Sequence, residues 1–221
     1  MKLSCVGGRL LLTILISILA LPNGINAQSN FALKEGDFLF LDLDCGGLCD
    51  AIEAVTEGVN HQDFSHLGLV HRKGDSIFVL EAMGNSVRLS RLSTFLSYTG
   101  KAAVQARLKP EHDKLIEPAM AFGMKQLGKA YDDAFLPDND KYYCSELVYD
   151  AFLKANGGKP FFSLEPMTFQ KPGSSEFFPV WLEYYKKLGI PVPESVPGCN
   201  PGGLSRSEKL DILGPLAKQK N

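Results

Sequence analysis

The chain has 221 residues, 23 basic against 25 acidic, and a formal net charge of −2. That balance, with no clustered basic excess, excludes the electrostatic footprint of a nucleic-acid-binding protein, and a mildly acidic surface singles out no substrate. Hydrophobic residues make up 45% of the sequence, enough to fill a sizeable core.

Met1 to Ala27 reads as an export signal. Basic Lys2 and Arg9 precede an apolar run from Leu10 to Leu21, and "PNGINA" then ends on a small residue. The run is shorter than the ~20 residues of a membrane span. The expectation is therefore cleavage after Ala27, a periplasmic or extracellular protein, and no stable membrane insertion. A lipoprotein anchor would need its cysteine after the run, and Cys5 lies before it. Removing 27 of the 221 residues, with Lys2 and Arg9, leaves 194 residues (28–221) carrying 21 basic and 25 acidic side chains. This length suits one domain, here with a Pro-rich C-terminal extension. Cys45, Cys49, Cys144 and Cys199 lie in that part. Export permits disulfides, and Cys45 and Cys49 are close enough to pair, but four cysteines are too sparse a framework to hold a fold.

In chain order, "GDFLFLDLD" (36–44) follows a turn signal and predicts a strand. "CDAIEAVTEG" (49–58) predicts a short helix closed by Gly58. "SHLGLVHRKGDSIFVLEAMG" (65–84) predicts a hairpin around Arg72 to Asp75. A short strand is expected at "NSVRL" (85–89), a helical turn or two at "LSTFLSYT" (92–99), and another strand at "KAAVQARLK" (101–109). Pro110 opens a helical pattern from Glu111 to Leu127, with a kink expected at Pro118. "KYYCSELVYDAF" begins a helix that stops at Asn156-Gly157-Gly158. "PVWLEYYKKLG" (179–189) predicts a further helix, and "IPVPESVPGCNPGG" (190–203), with four prolines, an extended loop. A hairpin-based antiparallel sheet with separate helices on one side of it is an α+β arrangement.

Cys144 shares its helical face with Leu147, Val148, Ala151 and Phe152. On that pattern alone it is a core residue, because free cysteine is among the most buried types. Its place in the first helical turn argues otherwise. Unpaired backbone N–H groups and the positive end of the helix dipole stabilise a thiolate, the nucleophilic form. The same amides can hold the oxyanion formed when a carbonyl is attacked.

A thiol nucleophile needs a base, and the hairpin offers His66. With the loop centred between Lys73 and Gly74, paired residue numbers sum to 147, which sets Glu81 directly opposite His66 and within reach of its imidazole. Nucleophile, base and orienting acid then form a triad. A three-residue loop would put Glu81 on the other face. His71 faces away from His66, His112 starts a helix and is expected to be exposed, and His61 lies in a polar loop. Cys45, Cys49, His61 and His66 come near a zinc-finger spacing. The two histidines would need to share a helix, and "SHLGLVH" is strand-like, so no metal site is expected. No Gly-x-Ser-x-Gly elbow, P-loop or Gly-x-Gly-x-x-Gly is present.

"GDFLF", "DAIEAVT", "FSHLGLVH", the acid in "VLEA" and "GKAYDDAFLPDNDKYYCSELVY" together resemble the permuted papain-like amidases of the YiiX/YaeF type, relatives of NlpC-type cell-wall peptidases and of lecithin:retinol acyltransferase. The resemblance runs from about Gly36 to Phe152, and "YCSELV" with an upstream "SH-x-G" is its specific part. It implies a papain-like core in which the permutation places histidine before cysteine. In it Cys144 is the nucleophile, His66 the general base and Glu81 the orienting acid. It also implies a place for Tyr131 near the site, as an oxyanion donor or a wall of the substrate groove. Read on its own, Tyr131 is equally a packed aromatic. Glu146 is expected to cap the start of the cysteine helix. The implied activity is cofactor-free hydrolysis of an amide or peptide bond through a thioester, with peptidoglycan fragments as the first-choice substrate of an exported enzyme. A lipid-directed acyltransferase or esterase with the same triad, and a binding protein that keeps the fold without the chemistry, are the alternatives.

Overall fold

The computed structural model describes residues 32–216, so the expected export signal, Met1–Ala27, lies outside the described residues. Its centre is a six-stranded antiparallel sheet of order β4-β3-β2-β1-β5-β8. The strands are β1 (Phe38–Leu41), β2 (His66–Lys73), β3 (Ser76–Met83), β4 (Ser86–Arg91), β5 (Val104–Leu108) and β8 (Leu210–Pro215). The helices are α1 (Gly47–Glu53), α2 (Leu92–Leu96), α3 (Ile116–Lys125), α4 (Cys144–Ala155), α5 (Pro179–Leu188) and α6 (Pro201–Ser205). A two-stranded ribbon joins β6 (Glu165–Pro166) to β7 (Pro197–Gly198). The expected α+β class holds.

β1 shows why both sheet faces are covered. All four residues of Phe38-Leu39-Phe40-Leu41 are buried, which suits a central strand, and its side chains alternate between two cores. Phe38 and Phe40 join the core under α3 and α4, with Phe152 of α4 stacked 5.6 Å from Phe38. Leu39 and Leu41 join Val70, Val79 and Phe95 on the other face, which α2 covers. The cysteine-bearing helix thus packs on one side of the sheet as expected, while α2 sits on the opposite side. Fully burying one such phenylalanine contributes roughly 1.5–3 kcal/mol.

α4 has the bounds its sequence suggests. Tyr143, in extended conformation, precedes the first turn. The Tyr143 N–H donates to the Glu146 carboxyl Oε2 at 3.4 Å, so Glu146 does cap the helix start. At the other end Gly157 and Gly158 take φ of 69° and 79°, and the Gly158 N–H closes onto the Leu153 carbonyl at 2.9 Å.

Other boundaries differ, each for a local reason. α1 starts at Gly47 rather than Cys49. Gly46 (φ 72°) turns the chain before it, and a Cys45–Cys49 disulfide ties the first turn to the residue preceding that glycine. The helix ends at Glu53, before Gly58, and a separate 3-10 turn follows at Val59–His61. The single kinked helix expected over 111–127 is a 3-10 segment, Pro110–Leu115, followed by α3. Pro118 makes no mid-helix kink because it lies in the first turn of α3, where no N–H is needed. The C-terminal stretch expected as an extended loop carries β7 and α6. The Asn200 side chain caps α6 by accepting from Gly203 N–H at 2.6 Å. β8, which follows, extends the sheet beside β5. Among the described residues no helix is long and apolar enough to cross a membrane.

Candidate active site

The β2–β3 hairpin sets the first pair of candidate residues. Lys73 faces Ser76 and Leu69 faces Leu80, so the loop is the two residues Gly74-Asp75, with Gly74 at φ 59°. The register is therefore two residues away from the expected one. Continued along the strands, it sets Glu81 opposite Gly68, and His66 diagonally across. A shift of two preserves the face, because side chains alternate with period two. Gly68 then becomes part of the design: a Cβ there would stand 2.4 Å from Val79 Cγ1 and 3.3 Å from Glu81 Cβ. Without one, the Glu81 carboxyl reaches along the sheet, and its Oε2 accepts from His66 Nε2 at 2.6 Å.

Both residues are buried, His66 at 2% exposure and Glu81 at 0%, a costly place for a charge unless every lone pair is used. The other Glu81 oxygen, Oε1, accepts from the Tyr98 hydroxyl at 2.8 Å, from Arg88 Nε at 3.2 Å, and from the Ser90 hydroxyl. Arg88 Nη2 also donates to the Tyr98 hydroxyl oxygen at 2.6 Å. Burial alone would raise the carboxyl's pKa. The hydrogen bond and charge of His66, then Ser90 and Tyr98, outweigh burial and hold it below the ordinary value. Sequence reasoning missed these three supports. The signal was the β3–β4 register, which sets Arg88 directly opposite Glu81 and Ser90 two residues on, on the same face.

Cys144 is the first residue of α4 and His66 the first residue of β2, so they meet where both elements begin. Because Nε2 is engaged by Glu81, Nδ1 is the ring nitrogen left for the sulfur. Burial pushes the imidazole pKa down. Hydrogen bonding to Cys144 and to Glu81, with the charges of both, overrides burial and raises it to about 9. The ring is fixed against Phe95 and Tyr98, at centroid distances of 5.5 and 6.2 Å.

Cys144 is 6% exposed, yet it is not sealed in hydrocarbon: it lines a cleft of about 210 Å³. One wall comes from α1 and its exit (Ile52, Val55, Thr56), another from Met167, Phe169 and Trp181, and a third from Cys199 to Arg206. Most of this lining follows Gly157, in the region whose sequence was least informative. Tyr131 lines the cleft too. The loop carrying it folds back on α4 because Asp132 accepts from the Ala134 and Leu136 N–H groups at 3.0 and 2.7 Å, while Asp132 N–H donates to the Tyr142 carbonyl at 3.1 Å. Burial first, and then the charge of Cys144, raises the Tyr131 hydroxyl well above its ordinary value. It stays protonated, a hydroxyl lining the same cleft as the sulfur.

The remaining expectations are quickly placed. Cys45 and Cys49 are joined in the disulfide and His66 is bonded to Glu81. His61 is exposed and pairs with Glu57. The zinc-finger set is thus dispersed, and no group of three His, Cys, Asp or Glu able to hold a metal ion occurs among the described residues. His71 does turn away from His66 and bonds Glu35 at 2.9 Å. His112 is half-buried, edge-on to Phe161, rather than exposed.

A helix that begins on a thiol, set against an antiparallel sheet whose second strand begins on a histidine, is a papain-like arrangement with its two halves in permuted order. The chain belongs to the permuted papain-like amidase enzymes of the YaeF/YiiX type, the C92 family, whose model matches residues 32–214. It is therefore a member of a papain-like cysteine amidase family. A relative from Escherichia coli K12, described as the uncharacterized protein YiiX, is 29% identical over 130 residues, covering 56% of this chain. The match spans 59% of that relative's length. The crystal structure of YiiX from Escherichia coli O157:H7, titled a metalloprotein, superposes with a TM-score of 0.66 at 22% identity, over 82% of this chain and 97% of that one. At that identity the likeness concerns the fold.

Proposed function

We propose that the protein is an exported cysteine amidase that hydrolyses an amide or peptide bond of cell-wall peptide fragments, with Cys144 as nucleophile, His66 as general acid and base, and Glu81 as the orienting acid. The observation that carries this reading is the buried 2.6 Å His66–Glu81 hydrogen bond, whose imidazole has its second nitrogen turned to a thiol at a helix N-terminus inside a cleft. With its proton retained up to about pH 9, the imidazole enters the cycle charged, a donor facing the sulfur.

In the proposed sequence the Cys144 sulfur attacks the carbonyl carbon. Charge develops on the carbonyl oxygen, where the unpaired amides of the first turn of α4 and the Tyr131 hydroxyl are the available donors. The His66 Nδ1–H protonates the departing amine, leaving a thioester on Cys144. Water then attacks that thioester, giving its proton to Nδ1, and the released thiolate restores the starting pair. Glu81, tied to Nε2, holds the ring at the angle both transfers need and stabilises the imidazolium.

Export is supported by the Met1–Ala27 sequence and by the Cys45–Cys49 disulfide, since such bonds persist in oxidising compartments. An exported amidase in a bacterial wall meets stem peptides first. The apolar lining of the cleft, with Ile52, Val55, Phe135, Met167, Phe169 and Trp181, favours a second reading: an esterase or acyltransferase acting on lipid acyl groups with the same three residues. Purified protein offered muropeptides, N-acyl amides and phospholipids side by side separates the two. Turnover of lipids alone sinks the cell-wall reading. No turnover of any, with a Cys144 thiol that iodoacetamide labels slowly and indifferently to His66→Ala, sinks the enzyme reading.

A further inference from the structure

The cleft holds a second thiol that the proposed chemistry does not use. Cys199 is buried, lines the same cleft as Cys144, and with it makes up the free cysteines among the described residues. It is gripped by the residues on either side of Cys144. The Cys199 N–H donates to the Tyr143 hydroxyl oxygen at 3.2 Å, and the Ser145 hydroxyl donates to the Cys199 carbonyl at 2.9 Å. The Tyr143 hydroxyl also stands 3.9 Å from the Cys199 sulfur. A hydroxyl–carbonyl bond of this kind keeps the two Cα atoms within roughly 8 Å, and Cys144 adjoins Ser145 in the chain. The α4 start and the turn before α6 are therefore clamped together with one thiol on each. Their surroundings differ. Cys144 faces an imidazole, whereas burial, with smaller contributions from the charges of Glu146 and then Cys144, outweighs the lowering by Ser145 and Tyr143, raises the Cys199 thiol pKa and keeps it protonated. One thiol faces the imidazole and the other, protonated, lines the same cleft.

We propose that Cys199 is the resolving thiol of Cys144, so that a peroxide converts the pair into a reversible Cys144–Cys199 disulfide across the cleft. This rests on the reading of Cys144 as a reactive nucleophile. The Cys144 thiolate attacks one peroxide oxygen and the O–O bond breaks. The departing oxygen takes the His66 proton and leaves as water or an alcohol, and Cys144 becomes a sulfenic acid. The Cys199 sulfur then attacks the Cys144 sulfur. An S–S bond forms, the S–O bond breaks, and the hydroxyl leaves with the Cys199 proton as water. Two thiols are oxidised by two electrons and the peroxide is reduced by two. Without a partner thiol, further peroxide carries the sulfenic acid to sulfinic acid, which thiol reductants do not reverse.

The test treats the full folded chain with hydrogen peroxide and follows each cysteine by peptide mass mapping, with iodoacetamide labelling of the Cys144 peptide as the functional readout. The expected result is a linked Cys144–Cys199 peptide pair lighter by two hydrogens, with Cys144 labelling lost and then restored by dithiothreitol. In Cys199→Ser, and in Cys199→Ala as a second variant should the first fold poorly, the Cys144 peptide should gain two or three oxygens and its labelling should not return. Wild type that yields no linked pair, and whose Cys144 is lost irreversibly at the variants' rate, overturns the proposal. Slow labelling of Cys144 before any peroxide overturns the nucleophile reading and this proposal with it. Fast labelling without a linked pair overturns the disulfide alone.

Discussion

The Glu81 carboxylate is divided between two tasks: Oε2 accepts from His66 Nε2 at 2.6 Å, while Oε1 accepts from Tyr98, Arg88 and Ser90. Every strong partner of the acid is thus a donor. A buried carboxylate so surrounded stays ionised and cannot swing away from the ring, which favours the charged imidazole over the neutral one.

Replacing Glu81 by Gln should lower kcat/KM by about 100-fold, within the range attributed to a positioned acid–base group. The alkaline limb of the pH–rate profile should also move down from about pH 9, where the imidazolium gives up its proton, because the carboxylate charge that holds that proton has gone. A limb that stays in place would show that Glu81 does not set the imidazole's state.

Tyr98→Phe or Ser90→Ala removes one donor to Oε1 and leaves the other two in place. Each should cost about 1 kcal/mol of orientation, roughly a fivefold fall in kcat with KM little changed. A change in KM alone would assign these residues to substrate contact rather than to holding Glu81.

Gly68→Ala should destabilise the fold by about 1–3 kcal/mol, the usual range for overpacking. The added carbon would lie 2.4 Å from Val79 Cγ1 and 2.9 Å from the Leu80 carbonyl oxygen, and the latter is backbone that cannot turn aside. Urea unfolding measures this, and kcat should fall as well, because the same displacement moves Glu81 along the strand.

Stability should decline toward alkaline pH. Burial beside Asp132 pushes the Glu146 carboxyl up to about 8, so the native state binds a proton that the unfolded chain has released. That contribution is complete below the unfolded value of about 4.5 and is lost as pH rises through 8. His66 acts with the same sign over a later window: complete below about 6.5, lost as pH rises through about 9. Glu81, whose pKa is lowered, contributes in the opposite sense and is lost only in acid. Glu146→Gln keeps an acceptor for the Tyr143 N–H without the charge. Its melting temperature should therefore fall less than that of wild type between pH 5 and pH 8, as read by circular dichroism at fixed ionic strength.

What the sequence determined by itself is what short-range rules decide. The bounds of α4 follow from an acid in its first turn and a glycine pair after its last, both within five residues of the groups they satisfy. The shared face of His66 and Glu81 follows from parity for any loop of even length, and it survived a register displaced by two residues. Tertiary structure decided the rest, because those contacts close over long chain separations that no local preference encodes. Tyr143 and Ser145 bond Cys199 across more than fifty residues. α6 forms at the end of a proline-rich stretch, and β8 after it, because the cleft and the β5 edge receive them. The encounter of Cys144 with His66 exists only because α4 packs on the sheet under Phe38 and Phe40, where burial of apolar surface, and no property of either residue, brings the sulfur to the ring.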